Sequence, residues 1–325
     1  MQTDATLPYS ILLYYCYTHI EDAVLYREEH HQLCLRLNLK GRIIVATEGL
    51  NGTVSGLKAD CEAYMAHLKA DPRFASIDFK LEYGTEHAFQ KLYVRVKDEI
   101  VHSGMKHINP SAQPVGIHLD ADAFKQMTAD PEVVLLDVRS NYEHELGHFK
   151  GAVRLDIENF RDFPDAVKSL DHLKDKKVVT YCTGGIKCEK ASAYLLEQGF
   201  ENVYQLHGGI IKYGLEAGGE NFDGQCYVFD GRVATEVNSV NPTVVSKCYR
   251  CETLTAKMVN CANPFCNNHI TMCDDCGNKY DGCCSDNCYE HPERRTWDGT
   301  GFYPKKLNGY NPVANSKRLR KGQPA

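Results

Sequence analysis

Nine of the fifteen cysteines in this 325-residue chain lie between Cys248 and Cys288, a window of 41 residues, and the other six are spread over the remaining 284. Thiols at that density hold a small segment together as disulfides or as metal ligands, and the redox compartment decides which. The N-terminus, MQTDATLPYS, has no basic stretch followed by an apolar one, so no secretory signal is visible and a cytoplasmic location is expected. Metal binding is then the expected use of the cluster. The cysteines fall into near pairs: Cys248/Cys251, Cys261/Cys266, Cys273/Cys276, and Cys283 or Cys284 with Cys288. Two pairs are C-x-x-C, whose short turn lets two sulfurs face one tetrahedral ion. Eight thiolates (Cys248, Cys251, Cys261, Cys266, Cys273, Cys276, Cys283 and Cys288) would suit two structural zinc ions, sequential or cross-braced. His269 and His291 are substitutes for a thiolate, and reduced, packed thiols are the competing reading.

The rest is ordinary globular material, 43% hydrophobic and 25% charged, with length for two or three domains. No run approaches the 18 apolar residues that a membrane-spanning helix needs. A net charge of −6 argues against coating nucleic acid by charge alone, although a local basic patch remains compatible with it.

Residues 1–110 alternate strand and helix signals. YSILLYYCY (9–17) and RIIVA (42–46) read as strands, 21–37 and 58–68 as helices, and 77–81 and 92–96 as two more strands. The order β-α-β-α-β-β approximates a ferredoxin-like α+β sandwich. Glu48-Gly-Leu-Asn-Gly-Thr53 follows a strand and should turn tightly. The proline-bearing stretch 106–115 reads as a linker. In 111–222, short buried strands at 133–138, 178–181 and 203–206 are separated by helical stretches, the pattern of a parallel α/β sheet. Residues 223–325 form a Cys-rich module that ends in a basic tail.

The strongest site follows the strand VVTY: Cys182-Thr183-Gly184-Gly185-Ile186-Lys187-Cys188, then a helix over 189–198 closed by Gly199. Cys182 therefore sits at the C-terminal end of a parallel strand, where α/β sheets bind ligands. The glycines let backbone N–H groups converge there, and the helix dipole favours an anion, so the thiol should ionise below its usual value of about 8.5. The loop has six residues counted from Cys182 and is closed by Lys187. An acid follows at Glu189, so a sulfur-sized anion fits better than phosphate. Cys188 either resolves an oxidised Cys182 or packs in the first turn of the helix. Asp137 and Arg139 are expected to be buried partners that brace the loop, and His148 to pack near it or serve as a base.

Leu136-Asp137-Val138-Arg139, Glu143 and Gly147-His-Phe-Lys-Gly-Ala152 precede this loop, and Gly199-Phe-Glu-Asn-Val-Tyr-Gln-Leu-His-Gly-Gly-Ile210 follows it. Together they resemble the rhodanese (sulfurtransferase) domain. That resemblance implies Cys182 as a persulfide-carrying cysteine, with Thr183, Gly184, Gly185, Ile186 and Lys187 around its outer sulfur. With both flanks included, nearly the full chain resembles the bacterial rhodanese-domain tRNA uridine hydroxylases. This implies oxygen-dependent 5-hydroxylation of the wobble uridine, with molecular oxygen as co-substrate, the tRNA anticodon region as partner and no membrane. Protein partners and the electron donor are not implied.

The alternatives are a thiosulfate- or persulfide-dependent sulfurtransferase, and a zinc-stabilised tRNA-binding or scaffold protein without activity. RNA contact would come from the tail (Lys305, Lys306, Lys317, Arg318, Arg320 and Lys321) with Arg294 and Arg295, while Trp297, Phe302 or Tyr303 would stack a splayed base.

Overall fold

The structure, a computed structural model, describes residues 6–303. It divides into two compact units, one reaching Pro242 except for Glu145–Gly147, the other starting at Thr243 and including those three residues.

The first unit opens with β1 (Tyr9–Tyr17), α1 (Ala23–Arg36), β2 (Lys40–Ala46), β3 (Gly49–Leu57), α2 (Lys58–Ala70), β4 (Lys80–Gly84) and β5 (Leu92–Val96). The sheet order is β4-β1-β3-β2-β5, with β5 parallel to β2. This is the ferredoxin-like arrangement expected, extended by one edge strand. The Asp22 carboxylate caps α1 by accepting from the backbone N–H groups of Val24 (3.0 Å) and Leu25 (2.8 Å). Leu12 and Tyr14 are buried among the residues that form the core, whereas Leu13, Tyr15 and Tyr17 alternate onto the other sheet face.

Strand β3 is absent from the sequence reading, which stops at the turn near Glu48. Its text, GLNGTVSGL, has three glycines and little β-propensity. Pairing on both sides makes it a strand: Leu13 lies opposite Thr53, which in turn lies opposite Arg42. Gly52 is needed there, because a Cβ would lie 2.3 Å from the Tyr14 hydroxyl.

A second sheet follows, its region lying in the same unit apart from Glu145–Gly147. Its elements are β6 (Ile117–Leu119), α3 (Ala121–Thr128), β7 (Val134–Asp137), α4 (Asn141–Leu146), β8 (Gly147–Phe149), β9 (Val153–Arg154), α5 (Phe163–Val167), β10 (Lys177–Tyr181), α6 (Ile186–Glu197), β11 (Asn202–Leu206) and α7 (Gly209–Ala217). The strands run parallel in the order β6-β11-β10-β7-β9. Leu136 and Val178 join one core and Leu135 and Val179 the other, so both faces are covered and the strands read as unbroken apolar runs. Helix α6 starts at Ile186, three residues before the expected 189, because Gly185 at φ +97° turns the chain directly into it. A small three-stranded sheet, in the order β13-β12-β8, joins β8 to β12 (Phe222–Tyr227) and β13 (Ala234–Glu236).

The second unit contains the hairpin β14 (Met258–Asn260) and β15 (His269–Thr271), then α8 (Asp274–Lys279) and α9 (Asp286–Tyr289). Its core is largely sulfur, with Val259, Ile270 and Met272 among the thiols. Trp297 and Tyr303 pack against this core, and a Cβ added to Gly277 or Gly282 would strike the Trp297 ring at 2.4 Å. Phe302 is exposed. The basic tail, Lys305 to Lys321, lies outside the described residues. No helix among the described residues is long and apolar enough to cross a membrane.

Candidate active site

Strand β10 ends at Tyr181, and Cys182 begins the turn into α6. Gly185 N–H donates to the Cys182 sulfur at 3.2 Å. The second glycine loop supports this turn from below, with Ile210 N–H donating to the Cys182 carbonyl and Ile211 N–H to that of Thr183, both at 3.0 Å. Gly209 permits the close approach, since a Cβ would lie 2.5 Å from the Cys182 carbonyl oxygen. Cys182 is 1% exposed. Burial alone would raise its pKa, but the Cys188 thiol, the Lys187 charge and backbone N–H groups of Cys188 and Lys187 outweigh it and bring it down to about 7. Cys188, fully buried, is pushed well up by burial and by the neighbouring Cys182, so it stays a thiol that donates to the Cys182 sulfur.

A chain of buried charges runs behind the loop. Arg139 grips Asp137 through Nε (2.9 Å) and a terminal nitrogen (2.6 Å), and donates to the Glu143 carbonyl at 3.2 Å. Tyr181 and His144 add contacts to Asp137 at 2.8 and 2.9 Å. The Glu143 carboxylate receives Lys187 Nζ at 2.7 Å and the Thr183 hydroxyl at 3.4 Å. Burial opposes ionisation of Asp137, yet Arg139 and His144 hold its carboxyl well below the usual range. His148 stacks on His144 at 4.2 Å and 5° and contacts its carbonyl through Nδ1 at 2.9 Å. Asp137 and Arg139 therefore reach Lys187 and Thr183 through Glu143.

The cysteine-rich segment brings sulfurs together in two quartets, each within 4.8 Å: Cys248, Cys251, Cys273 and Cys276, and Cys261, Cys266, Cys284 and Cys288. First pair joins third and second joins fourth, so the arrangement is cross-braced. Cys284, rather than the expected Cys283, completes the second quartet. It lies 3.5 Å from Cys266 and 3.7 Å from Cys288, whereas the Cys283 thiol donates to the Cys288 carbonyl at 3.4 Å. Of these two adjacent cysteines, only Cys284 has its sulfur within the quartet. Neither His269 nor His291 belongs to a quartet. Sulfurs tetrahedrally placed at about 2.3 Å from a zinc ion stand about 3.8 Å apart, and the 3.5–3.7 Å contacts match that spacing rather than a disulfide's.

Residues 9–100 match the family model of the UPF0176 acylphosphatase like domain, 120–216 that of the rhodanese-like domain and 223–289 that of the rhodanase C-terminal segment. A protein of Cytophaga hutchinsonii named tRNA uridine(34) hydroxylase is 64% identical over 310 residues, 95% of this chain and 99% of its own length. This chain belongs to the tRNA uridine(34) hydroxylase family. Proteins of the same name from Staphylococcus haemolyticus and Listeria welshimeri are 47% and 49% identical, each over 74% of this chain and 76% of its own length.

In this member of the tRNA uridine(34) hydroxylase family, the N-terminal sheet also reaches the cysteine loop, which sequence reasoning missed. A Cβ on Gly184 would lie 3.0 Å from Leu13, and one on Gly185 2.9 Å from the Tyr15 hydroxyl. Tyr15 donates to Glu189 at 2.8 Å, and Tyr17 to the Ile186 carbonyl at 3.3 Å. Glu189 also holds His118 (2.9 Å) and Gln205 (3.2 Å). Lys80, with a side chain only 2% exposed, lies 4.8 Å over the Tyr15 ring and 3.5 Å from Asp78. Lys190, fully buried on α6, is gripped by Glu48 (2.8 Å) and Glu99 (2.9 Å). The period-two pattern of Leu13, Tyr15 and Tyr17 was the available signal, because it marks a second sheet face too apolar to stand open in water.

Proposed function

We propose that this chain hydroxylates C5 of uridine 34 in tRNA, with Cys182 as the reacting thiol and molecular oxygen as co-substrate. The observation that carries the reading is the Cys182 sulfur itself: buried, facing a backbone N–H at 3.2 Å, and ionised near neutral pH in a chain 64% identical to a protein of that name.

Addition of a thiolate to C6 of a uracil ring makes C5 nucleophilic toward an oxygen donor. In the overall balance, the C5–H group, O2 and two thiols give the 5-hydroxy base, one water and one disulfide. Cys182 and Cys188 are the two thiols, and an external dithiol returns them to the reduced state. Cys182 leaves C6 as the double bond re-forms. Lys187 favours the thiolate, and Asp137, Arg139 and Glu143 hold Lys187 and Thr183 in place. The substrate region is the anticodon loop, and the expected location is the cytoplasm.

The two quartets would each hold a structural zinc ion through four thiolates and contribute folding free energy, not chemistry.

Mass spectrometry of tRNA nucleosides from a deletion strain tests the reading. Re-expression of the chain restores 5-hydroxyuridine and its derivatives, whereas Cys182→Ser does not. Retained modification in Cys182→Ser would remove that thiol from the chemistry. Sulfur transfer from thiosulfate to cyanide, with no hydroxylated uridine, would favour the sulfurtransferase instead.

A further inference from the structure

The register of the N-terminal sheet sets Lys80, Leu13, Thr53, Arg42 and Tyr93 in one row across all five strands. The next row runs Tyr15, Asn51, Ile44 and Arg95. Both rows lie on the face opposite the helices, since the intervening Ile43 and Val94 are buried in the helix-side core. One end of this face meets the cysteine loop through Leu13 and Tyr15. The other end is uncovered: Tyr93 is 41% exposed, and Arg42 and Arg95 are exposed. Two strand spacings of about 4.8 Å separate Arg42 from Leu13 and a third separates Tyr93, so the open end starts about 10 Å from Leu13.

Arginine and aromatic groups alternate there. The Arg95 guanidinium lies 4.9 Å from the Tyr93 ring centroid, and that of Arg42 5.9 Å from Phe89. Arg42 also donates to the Phe229 carbonyl at 3.5 Å, and Lys187 Nζ lies 5.7 Å from the Phe229 ring, which is 46% exposed. Neither Arg42 nor Arg95 pairs with a carboxylate among the described residues. Unpaired arginines on a chain of net charge −6 call for an anionic partner, and exposed rings beside them suit unstacked bases.

We propose that this open end of the sheet (Arg42, Tyr93 and Arg95, with Phe229 beside it) is the docking surface for the single-stranded RNA flanking the target uridine. The proposal rests on the hydroxylase reading and adds where the substrate lies. One base stacks on Tyr93, Arg42 and Arg95 take the adjoining phosphates, and the target base reaches Cys182 along the row. The basic tail is not needed for this contact.

The test uses the full chain and an unmodified tRNA transcript carrying uridine at position 34, with binding measured by fluorescence anisotropy at several salt concentrations. Tyr93→Ala should weaken binding about tenfold or more with the salt slope unchanged, and Tyr93→Phe should restore it. Arg42→Ala and Arg95→Ala should each lower the salt slope by about 0.7. KM for tRNA should rise in all three alanine variants while kcat stays near wild type. Tyr93 and Arg95 lie on an exposed edge strand, so their variants fold and decide the matter even if Arg42→Ala does not. Wild-type affinity and salt slope in these variants, or binding lost only on deletion after Asn315, would overturn the docking surface while leaving hydroxylation intact. Binding that responds as expected, without any 5-hydroxyuridine from wild type, would instead overturn the hydroxylase reading.

Discussion

The hydroxyl of Tyr15 on β1 donates to Oε1 of Glu189 on α6 at 2.8 Å, tying the first strand of the chain to the helix that opens at the cysteine loop. Glu189 is largely buried, and its carboxyl is held below the usual range because His118, Tyr15 and Gln205 outweigh the burial that would raise it. A hydrogen bond to a buried charge is worth more than a neutral one. Tyr15→Phe should therefore lower stability by about 1.5–3 kcal/mol in urea titrations. An unchanged midpoint would show that solvent, rather than Tyr15, satisfies Glu189.

Cys182 should react with iodoacetamide along a pH curve whose midpoint lies near 7, because its pKa is lowered to about 7. The sign follows from the charge: Lys187 favours the thiolate, so Lys187→Met should move the midpoint upward, toward the free-thiol value of about 8.5. Hydroxylation at pH 7 should fall with the thiolate fraction. A midpoint that does not move would assign the lowered value to the backbone N–H groups and Cys188 alone.

Lys190→Met would leave Glu48 and Glu99 facing each other in the interior without their cation. Removing one partner from such a cluster costs about 3–5 kcal/mol. Glu99 is held below the usual carboxylate range, with Ser103 and Lys190 outweighing burial. In the wild type its contribution is present above the unfolded carboxylate pKa and is lost as pH falls through the lower folded one. In Lys190→Met the carboxyl pKa rises, so the deficit relative to wild type should shrink between pH 8 and pH 5 when urea midpoints are compared.

Purified under reducing conditions, the chain should carry about two zinc ions per molecule, since four thiolates suit one ion. Cys284→Ser should lose one equivalent, and Cys283→Ser should keep both. Chelation should lower the thermal midpoint. Equal loss in the two serine variants would mean that Cys283 shares the second quartet.

The parts of this molecule that could be read from its sequence are the parts determined locally. VVTY-Cys182-Thr-Gly-Gly announces a strand, a tight loop and a helix within a dozen residues, and all three formed, with α6 starting three residues early. Strand β3 was illegible because its glycines carry no strand propensity and only its neighbours make it one. Lys80 was illegible for a similar reason: nothing in KLEYG says that its ammonium is buried over the Tyr15 ring, a placement decided by pairing with β1. Trp297 looked available to a base but covers two glycines of its own unit. Spacing marked three of the cysteine pairs and left the fourth between Cys283 and Cys284, and which pairs share a quartet depends on how the hairpin folds back.

The interleaving of those pairs constrains how the segment can be made and how it can be shortened. Cys261 and Cys266 emerge from the ribosome before Cys273 and Cys276, so the first quartet can close only around a loop that already carries half of the second. A truncation that spares one complete quartet must still cut through the other. The two quartets therefore share one stretch of chain, from Cys248 to Cys288, and neither occupies a separable piece of it.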